Sequence, residues 1–325
     1  MCPTPGAPPR HTRAAWYAAG MAKEPPLEVR AGRRLVEISR PGKPLFPCGI
    51  TKADVARYYA TVAPAMLPHL ERRPLNLERF PDGIEGHRIV QQHAAKHFPD
   101  WLGRVEVEKR GGTVEHVVAT EAAALVYLAG QGCLTLHPWL SRTDRLDRPD
   151  RLIIDLDPSD DGAPADAARA ARDVRALLGE LGLEPLVMAT GSRGFHVIVL
   201  LQRRLVFDEV RAFVRDVARA AAERAPDRLT VEQRKAKRGG RIYVDVQRNA
   251  YAQTAVAPYA VRPRPGAPVA TPLAWEELDD PDVRPDAWTL RTLPDRLERG
   301  IDPWSGAEPQ ALGAARRRLD ALGYG

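Results

Sequence analysis

Two aspartates in one apolar run are the strongest chemical feature of the sequence. Asp155 and Asp157 lie in LIIDLD (residues 152–157), which predicts a buried strand. Strand side chains alternate between faces, so both carboxylates point to one side. Two unpaired carboxylates there would repel each other and resist burial, and a bound divalent cation removes both costs. The alternative is a strand that ends in an Asp-Pro turn, with both acids solvated.

A third acid, Asp245, lies in another strand-like run, residues 241–246. If both strands belong to one sheet, three carboxylates share a face and can hold two divalent ions, which suits in-line phosphoryl transfer. One ion would activate the attacking oxygen, and the other would steady the triphosphate and the leaving group. The alternative is an edge-strand aspartate paired with Arg241 or Arg248.

Several stretches carry groups that could bind phosphate. The glycines of TGSRGFH (residues 190–196) allow close backbone approach to an anion, although the turn lacks the Gly-Lys-Ser/Thr of a Walker loop. A basic run, residues 234–241, leads into the Asp245 strand, where a triphosphate or DNA backbone would need neutralising. A geometric turn, a core histidine or a solvated basic surface remains the alternative for each. The candidates are Thr190, Ser192, Arg193, His196, Lys237, Arg262, His137, Lys43 and Lys52.

The elements that must position these residues predict a mixed α/β fold. In the second half, the order β-α-β-β-α-β is that of the split, ferredoxin-like motif. Its predicted members are strand 152–157, helix 160–181, strands 186–189 and 195–201, helix 207–224 and strand 241–246. In the first half, Thr51 caps a helix from Lys52 to about Met66. The other elements predicted there are strands 35–38, 88–92, 113–118 and 134–136 and helix 121–128.

The composition excludes several classes of protein. With 325 residues, 44% of them hydrophobic and 28% charged, the chain is typical of one large or two smaller globular domains. The cysteines Cys2, Cys48 and Cys133 form no disulfide framework or metal knuckle, which is typical of a reducing cytoplasm. No stretch approaches the roughly twenty apolar residues of a membrane helix, and the Pro-rich first residues lack the apolar core expected of a secretory signal. The net charge of +6 favours a polyanionic partner only slightly.

Together these stretches resemble the polymerase domain of bacterial ligase D, within the archaeo-eukaryotic primase superfamily. The matching stretches are PGKPLFPCGITKADVARYY, DLDP, TGSRGFHV, KAKRGGRIYVDVQRN and TAVAPYAVRPRPGAPVATPL. They follow the family's order over about residues 35–278, and the last two are long and unusual, which makes the match specific. The resemblance implies a primase-like palm with a β-α-β-β-α-β (RRM/ferredoxin-like) catalytic sheet. The expected partition is a disordered Pro-rich N-terminus (1–26, with Met21 as a possible translation start), an N-terminal α/β module packed on the palm (27–145), the catalytic palm (146–305) and a C-terminal helix (306–325).

The resemblance implies a DNA-repair nucleotidyltransferase that adds ribo- or deoxyribonucleotides to DNA 3′ ends at short gaps or breaks. By position, Asp155, Asp157 and Asp245 match metal carboxylates for two ions, Mn²⁺ or Mg²⁺. Lys43 and Lys52 match lysines that hold a 5′-phosphate. The residues in nucleotide-binding stretches are His137, Thr190, Ser192, Arg193, His196, Lys237 and Arg262. Expected partners are gapped or broken DNA, NTP or dNTP, and also Ku and a separate DNA ligase, with no membrane. The expected location is the cytoplasm, at the nucleoid.

Some positions depart from the family pattern. Ile89, Val90 and Gln92 stand where relatives often have an aromatic pair and then a lysine, which puts stacking on the DNA end and one phosphate contact in question. Thr190 replaces a common serine and keeps the hydroxyl. No Lys-x-Asp-Gly motif of an adenylating ligase is found, so we expect a stand-alone polymerase. Two other functions fit the same residues: a metal-dependent nuclease or phosphohydrolase, and a non-catalytic DNA-end-binding scaffold.

Overall fold

The computed structural model describes residues 24–109, 111–159, 164–280 and 283–324. The N-terminal segment that we predicted to be disordered lies outside the described residues up to position 23, and so do Cys2 and Met21. Residues 160–163, the predicted start of a helix, also lie outside them. Across the described ranges, no helix is long and apolar enough to cross a membrane.

The first part of the chain forms a hairpin, a five-stranded sheet and two helices. Its elements are β1 (Leu27–Ala31), β2 (Arg34–Ile38), α1 (Lys52–Leu70), β3 (Leu75–Arg79), β4 (Ile89–Gln91), β5 (Arg104–Lys109), β6 (Gly112–Val117), α2 (Ala122–Gly130) and β7 (Cys133–Pro138). The sheet runs in the order β4-β3-β6-β5, with β7 paired to β3. Strands β1, β3 and β5 were not predicted, whereas the predicted elements are all present.

Helix α1 begins as predicted but ends later. Thr51 and Asp54 form a reciprocal capping box, in which Asp54 N–H donates to Thr51 Oγ1 at 3.3 Å and Thr51 N–H donates to Asp54 Oδ2 at 2.8 Å. The helix continues past Met66 and through Pro68 to Leu70, although proline removes a backbone donor from a helix interior. Leu70 is fully buried in the core. Burial of this last turn therefore outweighs the local cost of proline.

The second part of the chain is built on a six-stranded sheet, which we call the central sheet. Its elements are β8 (Ser141–Arg142), β9 (Arg145–Pro149), β10 (Arg151–Asp157), α3 (Pro164–Glu180), β11 (Leu186–Ala189), β12 (Phe195–Leu200), α4 (Phe207–Arg224), β13 (Leu229–Thr230), β14 (Ile242–Asp245), β15 (Thr271–Leu273), α5 (Leu293–Glu298) and α6 (Leu312–Ala321). The strand order of the central sheet is β13-β14-β10-β12-β11-β15, and β8 and β9 pair separately as a two-stranded sheet. Its middle four strands have the ferredoxin-like order and confirm the predicted motif. The edge strands β13 and β15 were not predicted.

The side chains of β10 alternate between two buried regions on opposite faces of the central sheet. Leu152, Ile154 and Leu156 pack into the core beneath α3 and α4. Ile153 faces the other way, into a core that also contains the N-terminal helices. Asp155 and Asp157 share the face of Ile153. Because that second core joins both parts of the chain, the partition at residues 145 and 146 stays a prediction.

Candidate active site

Asp155 and Asp245 lie directly opposite each other on neighbouring strands. Antiparallel pairing of β10 with β14 places Asp155 across from Asp245, and Asp157 across from Tyr243. Side chains that face each other across a sheet have Cβ atoms about 4.5–5.5 Å apart. The two carboxylates therefore stand side by side on one face of the central sheet, as the two strand patterns indicated.

Asp157 is engaged by two arginines. Arg238 Nη1 lies 3.1 Å from its Oδ2, and Arg193 Nη2 lies 3.7 Å from its Oδ1. Arg238 is buried, packs over the Tyr243 ring at 4.4 Å and also donates to backbone carbonyls. Its neighbour Lys237, the candidate from sequence, is exposed. The basic run thus reaches the acids through Arg238, one position later than expected.

The acids form one wall of a cavity of about 210 Å³, which we call the acid cavity. Nine of the predicted site residues line it: His137, Asp155, Asp157, Thr190, Ser192, Arg193, His196, Asp245 and Arg262. Lys237, Lys43 and Lys52 do not. The lining also includes Arg248, whose Nε lies 3.8 Å from Asp155 Oδ2. The sequence pattern indicated Arg248 only as an alternative ion-pair partner of Asp245.

The glycine turn requires its glycines for steric reasons. A Cβ on Gly194 would lie 1.9 Å from the carbonyl oxygen of Leu156, the residue between the two aspartates. Gly191 has φ of +63°, and a Cβ there would lie 2.7 Å from Arg262 Cγ. Thr190 closes the turn by donating from Oγ1 to the Gly194 carbonyl at 2.8 Å. The turn therefore packs tightly against both the metal-candidate strand and Arg262.

The electrostatics of the paired acids differ. Burial raises the pKa of Asp155, but the adjacent His196 ring and then Arg248 outweigh it, so the net shift is downward. His196 Nε2 lies 3.6 Å from Asp155 Oδ2, and its Nδ1 is buried without a hydrogen-bond partner among the described residues. The pKa of Asp245 is raised, first by burial and also by the Asp155 carboxylate. The two carboxylates therefore differ in their preference for the ionised form, which is favoured at Asp155 and disfavoured at Asp245.

His137 is held by a carboxylate that the sequence did not single out. Its Nε2 lies 3.1 Å from Glu78 Oε2, and Arg88 Nε donates to Glu78 Oε1 at 2.6 Å. Burial lowers the pKa of His137, so the ring is neutral near pH 7 and its Nε2–H donates to the carboxylate. Burial raises the pKa of Glu78, but the hydrogen bonds from His137 and Arg88 outweigh it and bring that pKa to about 2. The ring is therefore fixed in orientation at the cavity wall.

The residues present fit divalent cations, although their ligand set is incomplete. Carboxylate oxygens are the donors that such hard ions prefer, and a cation would offset both the burial and the Asp155 charge that raise the pKa of Asp245. Over the ranges the structure describes, no three His, Cys, Asp or Glu side chains stand ready as ligands to one ion. Asp155 and Asp245 make the available pair, and the Oδ2 atom of Asp157 is engaged by Arg238.

Lys43 and Lys52 lie together in a separate basic turn at the start of α1. Lys43 Nζ contacts Asp82 Oδ1 at 2.6 Å, and buried Lys52 donates from Nζ to the Ser39 carbonyl at 2.7 Å. Burial lowers the pKa of Lys52, and nearby Arg40 and then Lys43 lower it further. Their mutual repulsion makes the turn a potential anion site.

The positions that depart from the family pattern lie on and beside β4. The side chain of Val90 is exposed, with a relative exposure of 54%, and Gln92 is also exposed. An exposed valine offers no aromatic face for a base.

Comparison with known proteins gives one consistent family. Residues 51–304 match the family described as "LigD, primase-polymerase domain". The chain is 35% identical over 297 residues to the multifunctional non-homologous end joining protein LigD of Pseudomonas aeruginosa, covering 89% of this chain and 35% of that protein. It is 27% identical over 251 residues to the bifunctional LigD of Bacillus subtilis, covering 77% of this chain and 40% of that protein. The chain thus spans well under half the length of these curated relatives.

A solved structure extends the comparison to the fold. The polymerase domain of Mycobacterium tuberculosis ligase D, in complex with DNA, is similar with a TM-score of 0.79 and 30% sequence identity. The match covers 84% of this chain and 97% of that one. The mixed α/β architecture predicted from the sequence is thereby confirmed.

Proposed function

Because this chain belongs to the LigD primase-polymerase domain family, we propose that it is a DNA-repair nucleotidyltransferase that extends DNA 3′ ends at short gaps or breaks. The observation that carries the proposal is the pairing of Asp155 with Asp245 at the acid cavity. A nucleic-acid-binding scaffold would need only a basic surface. Two partly buried carboxylates placed side by side cost stability, and a role in chemistry explains why the site would keep them.

In the proposed reaction, the primer 3′-hydroxyl attacks the α-phosphate of the incoming nucleotide. The hydroxyl gives up its proton to water as the new phosphorus–oxygen bond forms. The bond from the α-phosphorus to the oxygen that bridges to the β-phosphate breaks, and pyrophosphate leaves. Asp155 and Asp245, joined by Asp157, would hold two divalent cations, Mn²⁺ or Mg²⁺. Bound cations supply charge neutralisation at the phosphates and lower the pKa of the attacking hydroxyl.

The chain's own cationic groups would hold the triphosphate. Arg248 and Arg262 line the cavity on the side of the acids, and the glycine turn adds backbone donors and the Ser192 hydroxyl. Arg262 is partly buried, and its buried Nε has no hydrogen-bond partner among the described residues. A guanidinium fork of this kind suits a phosphate oxygen pair. His137, kept in place by Glu78, would contact the same chain of phosphates.

The DNA partner is proposed from the solved relative, which is in complex with DNA. Lys43 and Lys52 would hold a 5′-phosphate across the gap. A role in end joining, with Ku and a separate DNA ligase as partners and a cytoplasmic location at the nucleoid, is proposed from the names of the relatives.

The proposal is tested by primer extension on a gapped duplex with a recessed 5′-phosphate. Ribo- and deoxyribonucleotides are compared in Mn²⁺ and in Mg²⁺, beside a variant carrying Asp155→Ala and Asp157→Ala. We expect extension by the intact protein and none by the variant. Shortened DNA without extension would favour a nuclease instead, and DNA binding without any product would favour the scaffold.

A further inference from the structure

A second cavity, of about 410 Å³, lies at the other end of β10, and we call it the arginine cavity. Arg151, which begins β10, lines it, whereas Asp155 lines the acid cavity. At about 3.3 Å per residue along a strand, the two sites are separated by roughly 13 Å. His69, near the end of α1, also lines the arginine cavity, which places it roughly 25 Å along that helix from Lys52. The arginine cavity is therefore separate from both phosphate sites of the proposed reaction.

Positive charge exceeds negative charge in this cavity. Its arginines are Arg72, Arg142, Arg151 and Arg203. Asp150 is the one acid that lines it among the described residues, and it already accepts from Arg142 Nε at 2.9 Å and from Arg151 Nε at 3.2 Å. Fully buried Arg73 donates to the same carboxylate. One buried carboxylate thus faces three guanidinium groups. Arg142 also pairs with Glu71 at 2.7 Å outside the cavity lining, and positive charge still remains in excess.

Arg151 holds an unused donor fork inside the protein. Its side chain is only 8% exposed, and its Nε makes the one hydrogen bond to Asp150. In the part of the chain that the structure describes, neither Nη group has a hydrogen-bond acceptor, and neither is a fully buried atom, so both reach the open space of the cavity. A phosphate in the cavity would satisfy the fork with two parallel hydrogen bonds.

The cavity also has an aromatic wall, and the histidine in that wall is affected by the nearby arginines. Trp304 lines it and meets the His69 ring edge-on at a centroid distance of 5.3 Å. Burial, and then Arg151 and Arg73, lower the pKa of His69 to about 3, so its ring is neutral at physiological pH. Cationic groups next to an aromatic wall suit a molecule that carries phosphate beside an apolar ring.

We propose that the arginine cavity is a second anion site that binds the phosphate of a small phosphorylated molecule, with Arg151 as its bidentate donor. Arg72 and Arg203, at the mouth, share Asp144 as an ion-pair partner. Nucleotides and pyrophosphate are suitable ligands. The choice of nucleotides and pyrophosphate as ligands rests on the proposed function, in which they are substrate and product. The proposal that the cavity binds an anion does not rest on it.

The test is calorimetric titration of the intact chain with inorganic pyrophosphate in EDTA. We expect a binding event that survives Arg262→Met, which disables the acid cavity, and that weakens about ten- to a hundredfold in Arg151→Met. Arg151→Lys should recover only part of the loss, because an ammonium group lacks the planar fork. Equal affinity in the wild type and Arg151→Met, or loss of all binding in Arg262→Met alone, would overturn the proposal.

A second variant keeps the test decisive if Arg151→Met does not fold. Arg203 is at the mouth and its side chain is 21% exposed, so Arg203→Gln should fold and weaken pyrophosphate binding by about three- to tenfold. Unchanged affinity in Arg203→Gln would then overturn the proposal. Failure of the wild type in primer extension, with pyrophosphate binding that still depends on Arg151, would remove the proposed polymerase function and leave the anion site standing.

Discussion

Replacing Glu78 with glutamine should weaken both the fold and nucleotide binding. The glutamine keeps the size of the side chain but removes the charge that receives Nε2–H of His137 and Nε–H of Arg88. In the wild type, a bound triphosphate would draw a second proton onto His137, and the carboxylate would stabilise the resulting imidazolium. Glu78 therefore acts as a positioning residue that works through His137.

The magnitude follows from the pKa of Glu78, which is about 2 against an ordinary value of 4.5. At about 1.36 kcal/mol per pKa unit, the upper limit is about 3.4 kcal/mol of stabilisation. The side chain of Arg88 is 61% exposed and screened by solvent, which reduces the expected loss in Glu78→Gln to about 1–2 kcal/mol. Because the folded-state pKa lies below the unfolded one, this stabilisation is complete above about pH 4.5 and is lost as the pH falls towards 2.

The assay is denaturant unfolding at several pH values, paired with steady-state incorporation. Glu121→Gln is the matched control, because Glu121 pairs with Arg34 at 2.7 Å but both side chains are solvent-accessible, so its loss should cost under about 0.5 kcal/mol. We expect Glu78→Gln to raise the nucleotide KM about tenfold. The increase in KM should be larger above neutral pH, because the imidazolium form of His137 then depends more on the carboxylate. Equal stability of Glu78→Gln and Glu121→Gln at pH 7, together with an unchanged KM, would refute the reasoning.

Three further changes have defined outcomes. Gly194→Ala should destabilise the chain by more than about 3 kcal/mol, since its Cβ would collide with the Leu156 carbonyl, and thermal unfolding with little loss would contradict this. Asp82→Asn releases Lys43 and should tighten binding to a 5′-phosphorylated gap two- to fivefold, with no change for a 5′-hydroxyl gap, as measured by fluorescence anisotropy. Asp245→Asn should leave the metal-free chain equally stable or more stable by up to about 1 kcal/mol, because burial and the Asp155 charge, which raise the pKa of Asp245, both disfavour its ionised form, and clear destabilisation in EDTA would argue against that account.

Much of the sheet could be predicted because its signals are local. Alternation in β10 placed Asp155 and Asp157 on one face, and the β-α-β-β-α-β order brought Asp245 beside them. The structure places both features as the sequence indicated. The glycines at 191 and 194 were also recognised as a turn, but their contacts with Arg262 and Leu156 involve distant segments and leave no sequence pattern.

The remaining site residues depend on tertiary geometry. Lys237 and Arg238 are adjacent in a basic run, and only the 3₁₀ turn at residues 235–237 decides which of them faces Asp157. Glu78 lies on an unpredicted strand, β3, and reaches His137 because β7 pairs with it. Helix α1 continues beyond its prolines because the burial of Leu70 outweighs the low helix propensity of proline. In each case a long-range contact decides between residues that local pattern cannot distinguish.

The most direct test of the central claim is the single-turnover rate of nucleotide incorporation by Asp245→Asn at saturating DNA and nucleotide. If Asp155 and Asp245 form the catalytic pair, the rate should fall by at least about a thousandfold, while affinity for the gapped duplex stays within about threefold of the wild type. A variant that keeps its rate within tenfold of the wild type would contradict the assignment of this carboxylate pair to catalysis.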